Sequence, residues 1–239
     1  MFPIRDDQPR FSTPYVNYFI IALNVLVFVF FELPVQFQGP RHFNALIFQF
    51  GFIPEHLTRA LHGTSQYPIS ASLLTIFTSM FLHADLFHIV GNLWFLWIFG
   101  DNIEDHLGHF TYLVFYLLCG IAAALTFIVI NPTSTVPTLG ASGAIAGVMG
   151  GYIVLYPRAR VQTLVVLIVF FTFWWIPAWV FLGYWFLIQF VATSVTATTT
   201  AAHQTGGVAF AAHVGGFVAG LLLIKLFPQR PRTYRYGTW

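Results

Sequence analysis

"LGASGAIAGVMGGYIVLY", residues 139–156, is apolar enough to cross a bilayer, yet it opens with a serine between glycines and its first half carries almost no bulky side chains. Small residues let a second helix bring its backbone close. Ser142 falls where the helix should begin, where backbone N–H groups lack partners and the helix dipole favours negative charge. A hydroxyl there is either an N-cap or a nucleophile with an oxyanion-stabilising amide beside it. The stretch 140–143, G-x-S-G, does not choose between them, so the choice falls to the rest of the chain.

The chain of 239 residues is 57% hydrophobic and 8% charged, with 28 Phe, a balance that excludes a soluble domain of this length. Apolar runs near the roughly 20 residues that span hydrocarbon occur at Tyr15–Phe31, Phe87–Phe99 with flanks, Phe110–Ile130, Leu139–Tyr156, Val161–Phe190 and Gly206–Phe227. The expected fold is an all-α polytopic membrane protein with six transmembrane helices, forming one domain over residues 1–239.

Only Arg5 and Arg10 precede the first run, and no small-residue cleavage site follows it, so it reads as a retained helix rather than a signal peptide. With the N-terminus inside, Arg5, Arg10, Arg158, Arg160, Lys225, Arg230, Arg232 and Arg235 lie on the cytoplasmic side and Arg41 and Arg59 outside. This split predicts cytoplasmic N- and C-termini. The basic tail is then a topology anchor, and no nucleic-acid partner is expected. The absence of a transit-like leader points to a cell (plasma) membrane. Cys119 is the sole cysteine, which excludes an intrachain disulfide.

The stretch Glu32–Leu86 is too apolar for a disordered linker and reads as a folded loop lying on the outer leaflet. Within it, "PEHLTRALHG" has Pro54 at a first helical position, Leu57, Ala60 and Leu61 at helical spacing and Gly63 as a stop, which predicts a short interfacial helix. "VATSVTATTTAAHQTGG", before the last run, reads as a small, polar, mobile connection.

Polar groups at bilayer depth are costly and mark function. In "HADLFHIVGN", His88 and Asn92 are four apart and share a helix face, with His83 just before them. In the last run, Gly206, Ala209, His213, Gly216 and Gly220 form one stripe of small residues around a single imidazole. Gly143, Gly147 and Gly151 supply a matching track after Ser142. Docking the two tracks would carry His213 to Ser142 and assemble a nucleophile, a base and oxyanion donors, the parts of acyl transfer. No carboxylate lies in either helix, so the pair would act as a dyad. The histidines lack the i, i+4 spacing with a carboxylate that helical zinc sites use, which argues against a catalytic metal.

These residues resemble the rhomboid family of intramembrane serine proteases. "HADLFHIVGN" matches H-x4-H-x3-N, "GDNIEDHLG" matches G-x3-E-x3-G, "GASG" matches G-x-S-G, and "AHVGGFVAG" matches the histidine-bearing G-x3-G helix, in the family order across Thr78–Gly220. The resemblance implies a bacterial-type six-helix core with a large membrane-associated loop between helices 1 and 2. It implies Ser142 as nucleophile, in the motif that begins at Gly140 and ends at Gly143, and His213 as general base. Asn92, His88 and the Ser142 backbone N–H would form the oxyanion hole, with His83 supporting. Gly216 and Gly220 would set the approach of helix 6 to helix 4, and Glu104 would be structural at the cytoplasmic end of helix 2.

The expected reaction is hydrolysis of transmembrane segments of membrane protein substrates near their outer ends, without a cofactor. A non-catalytic rhomboid-like client-binding protein is the runner-up, but it would need neither Ser142 nor His213. A small transporter would call for paired repeats, and the sequence has none. "FFTFWWIPAWVFLGYWF" reads as a bulky helix 5 beside which a substrate helix would pass, with Trp174, Trp175 and Trp179 fitting that gate or an interfacial aromatic belt equally. Two departures stand out: Ala146 occupies the position of a Tyr that stacks on the histidine in well-studied bacterial members, and no Trp precedes Trp94 to make the loop's Trp-Arg pair. Another group must therefore orient His213.

Overall fold

The computed structural model describes residues 2–167, 170–198 and 210–228. Strand β1 (Phe2–Asp6) precedes α1 (Tyr15–Val27), which runs through a π-helical turn at Phe28–Glu32 into α2 (Leu33–Phe37). Pro34 has no N–H to give and would clash with the preceding turn of a regular helix. The wider turn before it absorbs that conflict and leaves Glu32 fully buried. The stretch between the first two long helical segments is folded, as expected, into α3 (Pro40–Phe50), α4 (Pro54–Leu61) and α5 (Ile69–Ser79). In α4, Pro54 opens the helix and Leu57 and Ala60 are buried, with Gly63 turning the chain at φ 69° just beyond.

The long helices α6 (Leu86–Leu107) and α7 (His109–Ile130) are separated by Gly108 alone, whose φ of 81° lets the chain reverse. Helix α8 (Ser142–Leu155) lies at the centre, with every residue from Gly143 to Tyr152 buried. It packs against α6, α7 and α10 (Phe210–Leu223). The continuous helical stretch Tyr15–Phe37 and helix α7 are long and apolar enough to cross a membrane. The 14 residues of α8 reach only about 21 Å, short of the roughly 30 Å of a hydrocarbon core. In α6, Asp101, Glu104 and Asp105 dilute the apolar character of the last turns.

The run Val161–Phe190 is not one helix, and the all-α expectation is corrected here. Its first part forms β2 (Arg160–Leu167) and β3 (Phe170–Pro177), which join β1 in a three-stranded antiparallel sheet of order β1-β2-β3. Helix α9 (Ala178–Thr198) begins only after Pro177. Val, Thr, Phe and Trp dominate residues 161–175 and favour a pleated surface, and Pro177 closes the strand. Of the three tryptophans read as a gate or belt, Trp174 and Trp175 therefore sit on β3 and Trp179 on α9. Arg5, Gln162 and Trp175 lie in register across the three strands: Arg5 Nε donates to Gln162 Oε1 at 2.9 Å and its guanidinium lies 5.6 Å from the Trp175 ring centroid.

The sheet, the start of α1 and the end of α6 meet at one end of the bundle. Arg10 pairs with Asp101 there at 3.8 Å, and the Arg160 N–H donates to Asp7. The expected start of the last run at Gly206 and Ala209, most of the expected mobile connection and the tail arginines Arg230, Arg232 and Arg235 lie outside the described residues.

Candidate active site

The loop into α8 is pinned before the helix begins. Thr138 exchanges backbone hydrogen bonds with Phe52, and the Gly140 N–H donates to the Ser79 carbonyl at 2.9 Å. Gly140 has φ 124°, and a Cβ there would fall 2.8 Å from His88 Nε2 and 3.4 Å from Ser142 Oγ. Glycine at this position thus gives the backbone its left-handed turn and leaves the space in which His88 and Ser142 face one another.

Ser142 is the first residue of α8, and its Oγ lies 2.7 Å from His213 Nε2 on α10. The approach that permits this is made of glycine. Gly216 and Gly220 lie on the carbonyls of Gly143 and Gly147, and Gly150 lies on the Phe217 carbonyl. The spaces left by Gly143, Gly147 and Gly151 are filled from the other side, by Ala123, Cys119 and Phe115 of α7. The bare surface of residues 139–156 thus serves two neighbours, because α8 is wedged between α7 and α10.

His88 and Asn92 lie one turn apart near the start of α6. The Ala84 N–H makes a long 3.4 Å bond to His88 Nδ1, which leaves Nε2, the nitrogen beside Gly140, to carry the hydrogen. Asn92 is buried and its Nδ2 has no hydrogen-bond partner, an uncompensated donor of the kind active sites retain. His83 is fully buried and packs edge-on against His88, ring centroids 5.1 Å apart, while its backbone N–H donates to Glu32 Oε1 at 2.9 Å. Burial, with His88 beside it, lowers the His83 pKa to about 3, so this imidazole is neutral.

Glu104 is far from the dyad, at the other end of α6. Fully buried, it accepts hydrogen bonds from the Val16 and Asn17 N–H groups at 3.0 and 2.6 Å and contacts His109. It supplies an acceptor to the otherwise unpaired amides at the start of α1. No group of three His, Cys, Asp or Glu side chains suited to a metal gathers among the described residues. A cavity of about 40 Å³ lies beside Ser142, lined by Met80, Gly120, Ala123, Phe127, Gly140 and Ala212 among others.

Two polar groups near the site escaped the sequence reading. Gln189 of α9 brings Oε1 to 2.8 Å from His213 Nδ1, and Trp185, one turn earlier, holds its ring 5.9 Å from the imidazole. Glu32 supports the His83 backbone. A signal for both was present: Gln189 is the only amide or charged side chain between Ala178 and Phe190, and Glu32 stands between apolar neighbours where the first run ends.

A family model described as "Rhomboid domain" matches residues 70–230. The mitochondrial Rhomboid protein 1 of Saccharomyces cerevisiae is 26% identical over 209 residues, covering 86% of this chain and 51% of the yeast protein. The mitochondrial presenilin-associated rhomboid-like protein of Rattus norvegicus is 30% identical over 133 residues, 54% of this chain and 35% of the rat protein. The chloroplastic Rhomboid-like protein 11 of Arabidopsis thaliana is 40% identical over 70 residues, 29% of this chain and 25% of that protein. The chain thus spans about half or less of the length of these curated relatives.

Proposed function

The chain belongs to the rhomboid family of membrane proteins, and on that premise we propose that it is an intramembrane serine endopeptidase working through a Ser142–His213 dyad. The observation that carries this reading is the 2.7 Å contact between Ser142 Oγ and His213 Nε2 at the first turn of α8. A client-binding protein has no use for that contact.

In the proposed reaction, Ser142 Oγ attacks the scissile carbonyl carbon while His213 Nε2 takes its proton. The carbonyl oxygen becomes an oxyanion facing the Ser142 backbone N–H, Asn92 Nδ2 and His88 Nε2. His213 then gives the proton to the leaving amine as the C–N bond breaks, and water repeats the sequence on the acyl-enzyme. His83 holds His88 in place, and the Gly216 and Gly220 contacts keep the base within reach. The substrate is a transmembrane segment that has left helical geometry near its outer end, since a helix hides its carbonyls in i to i+4 bonding. The small cavity beside Ser142 fits a short side chain.

In this reading α1, α6, α7, α8, α9 and α10 are the six membrane segments, with the sheet and the basic residues at the cytoplasmic end. The basic split supports this orientation and does not select the membrane; the cell membrane is the first reading, the mitochondrial names of two of these relatives favour a mitochondrial membrane as the second, and fractionation of cells making a tagged chain separates the two.

The experiment that tests the activity is cleavage of a single-span substrate by the purified protein in liposomes, wild type against Ser142→Ala, with and without chelator. Cleavage lost only in Ser142→Ala supports the proposal. Cleavage that persists in the variant, or none by wild type over several substrates, overturns it.

A further inference from the structure

We propose that Gln189 is the positioning residue of the catalytic base: it fixes the tautomer and the plane of the His213 ring, the task left open by Ala146. This rests on the protease reading of the Ser142–His213 pair.

A base that accepts the Ser142 proton at Nε2 must carry its own hydrogen at Nδ1. Nothing in α8 or α10 holds that hydrogen, because both are lined with glycine, alanine and apolar side chains along their contact. The acceptor comes from a third helix. Gln189 Oε1 lies 2.8 Å from Nδ1 while Nε2 lies 2.7 Å from Ser142 Oγ, so the two ring nitrogens are engaged from opposite sides at once. Trp185 stands four residues earlier on α9 and so shares the face of Gln189. Its ring is inclined at 37° to the imidazole and also packs on Phe217, one turn along α10 from His213. The bond sets the proton and the indole limits rotation of the ring.

A neutral amide suits this place. On attack, the Oγ hydrogen moves to Nε2 as Oγ bonds the carbonyl carbon, and Nδ1–H goes on donating to the amide oxygen of Gln189. The imidazolium is stabilised by a dipole rather than by a buried carboxylate that would need its own counter-charge in the membrane. Gln189 touches neither substrate nor the reacting atoms and acts only through His213.

The test compares wild type, Gln189→Leu and Gln189→Glu, each as full chain in liposomes. Leu removes the acceptor at similar size: kcat is expected to fall about 100-fold with KM within about twofold. Glu keeps an acceptor and adds charge, so it should recover turnover at neutral pH and above while moving the acidic limb of the pH–rate profile to higher pH. Histidine 15N spectra, with His213→Ala to identify the signals, read the tautomer without turnover. Nδ1 should carry the hydrogen in wild type and lose that preference in Gln189→Leu. A Gln189→Leu protein with wild-type kcat and pH profile, or with unchanged His213 signals, overturns the inference. A wild type without activity sinks the protease reading, and the 15N signals still judge Gln189.

Discussion

Gly220 of α10 lies directly on the Gly147 carbonyl of α8, as Gly216 does on the Gly143 carbonyl, and neither gap admits a side-chain carbon. Backbone cannot swing aside as a side chain can, so Gly220→Ala must part the helices. The expected cost is about 1–3 kcal/mol of stability, together with loss of most activity as His213 withdraws from Ser142. Gly91→Ala is the control, because that position on α6 faces open space and alanine there should be neutral or stabilising by up to about 1 kcal/mol. Thermal unfolding in detergent and fluorophosphonate labelling of Ser142 measure both effects. A Gly220→Ala protein matching wild type in both would mean that this contact does not set the dyad.

Asn92 offers a second, independent test. Its Nδ2 is buried and unpartnered, so the resting protein gains little from it, whereas a developing oxyanion would gain a hydrogen bond. Asn92→Ala is expected to lower kcat by about 100- to 1,000-fold with KM nearly unchanged and the unfolding temperature unchanged or raised. A fall in stability with kcat preserved would make Asn92 a structural residue.

What the sequence made legible follows a physical divide. Ser142, His213, Gly216 and Gly220 could be read because helical spacing decides which residues share a face, and small-residue tracks restrict how two helices dock. The assignment of Val161–Phe190 to one helix failed because a long apolar run carries no period of its own: strands and helices buried in apolar surroundings read alike. The β-branched and aromatic bias before Pro177 was the available sign. Partners such as Gln189 to His213 and Asn17 to Glu104 depend on how separate helices are rotated about their axes, which no local pattern encodes. Gly143, Gly147 and Gly151 were legible as a track, yet the side chains filling their empty faces belong to α7 rather than α10, and only the assembled bundle distinguishes these.

Glu104 ties α1 to the bundle at the end of α6 opposite His88 and Asn92, and the proposed chemistry makes no use of it. Replacing it with Ala would leave the Val16 and Asn17 N–H groups without their acceptor and free Asn17, which also accepts from the Tyr112 hydroxyl and donates to the Leu96 carbonyl. A loss of about 3 kcal/mol or more is expected for unpairing such a buried group, with near-normal turnover per folded molecule at low temperature. Denaturation in detergent and active-site titration separate the two. A large drop in turnover at unchanged stability would assign Glu104 a direct catalytic part.

Asp6 gives the fold a dependence on pH at the sheet end of the bundle. Its carboxylate accepts from the Tyr152 hydroxyl and from Asn102 Nδ2, and burial, with Asp101 and Asp7 adding to it, raises its pKa to about 7. A folded-state value above that of the unfolded chain means that the folded protein holds the proton where the unfolded chain has released it. This group's contribution to stability therefore falls as pH rises from about 4 to 7, and is level beyond. Asp6→Asn keeps a neutral side chain at every pH. It should be no more stable than wild type at pH 5, where the acid is protonated, and should gain on wild type steadily toward pH 8. Unfolding temperatures of the two proteins measured across that range decide the matter: curves that run parallel would show that Asp6 is ionised in the folded protein throughout, and that Tyr152 and Asn102 alone suffice to hold its charge.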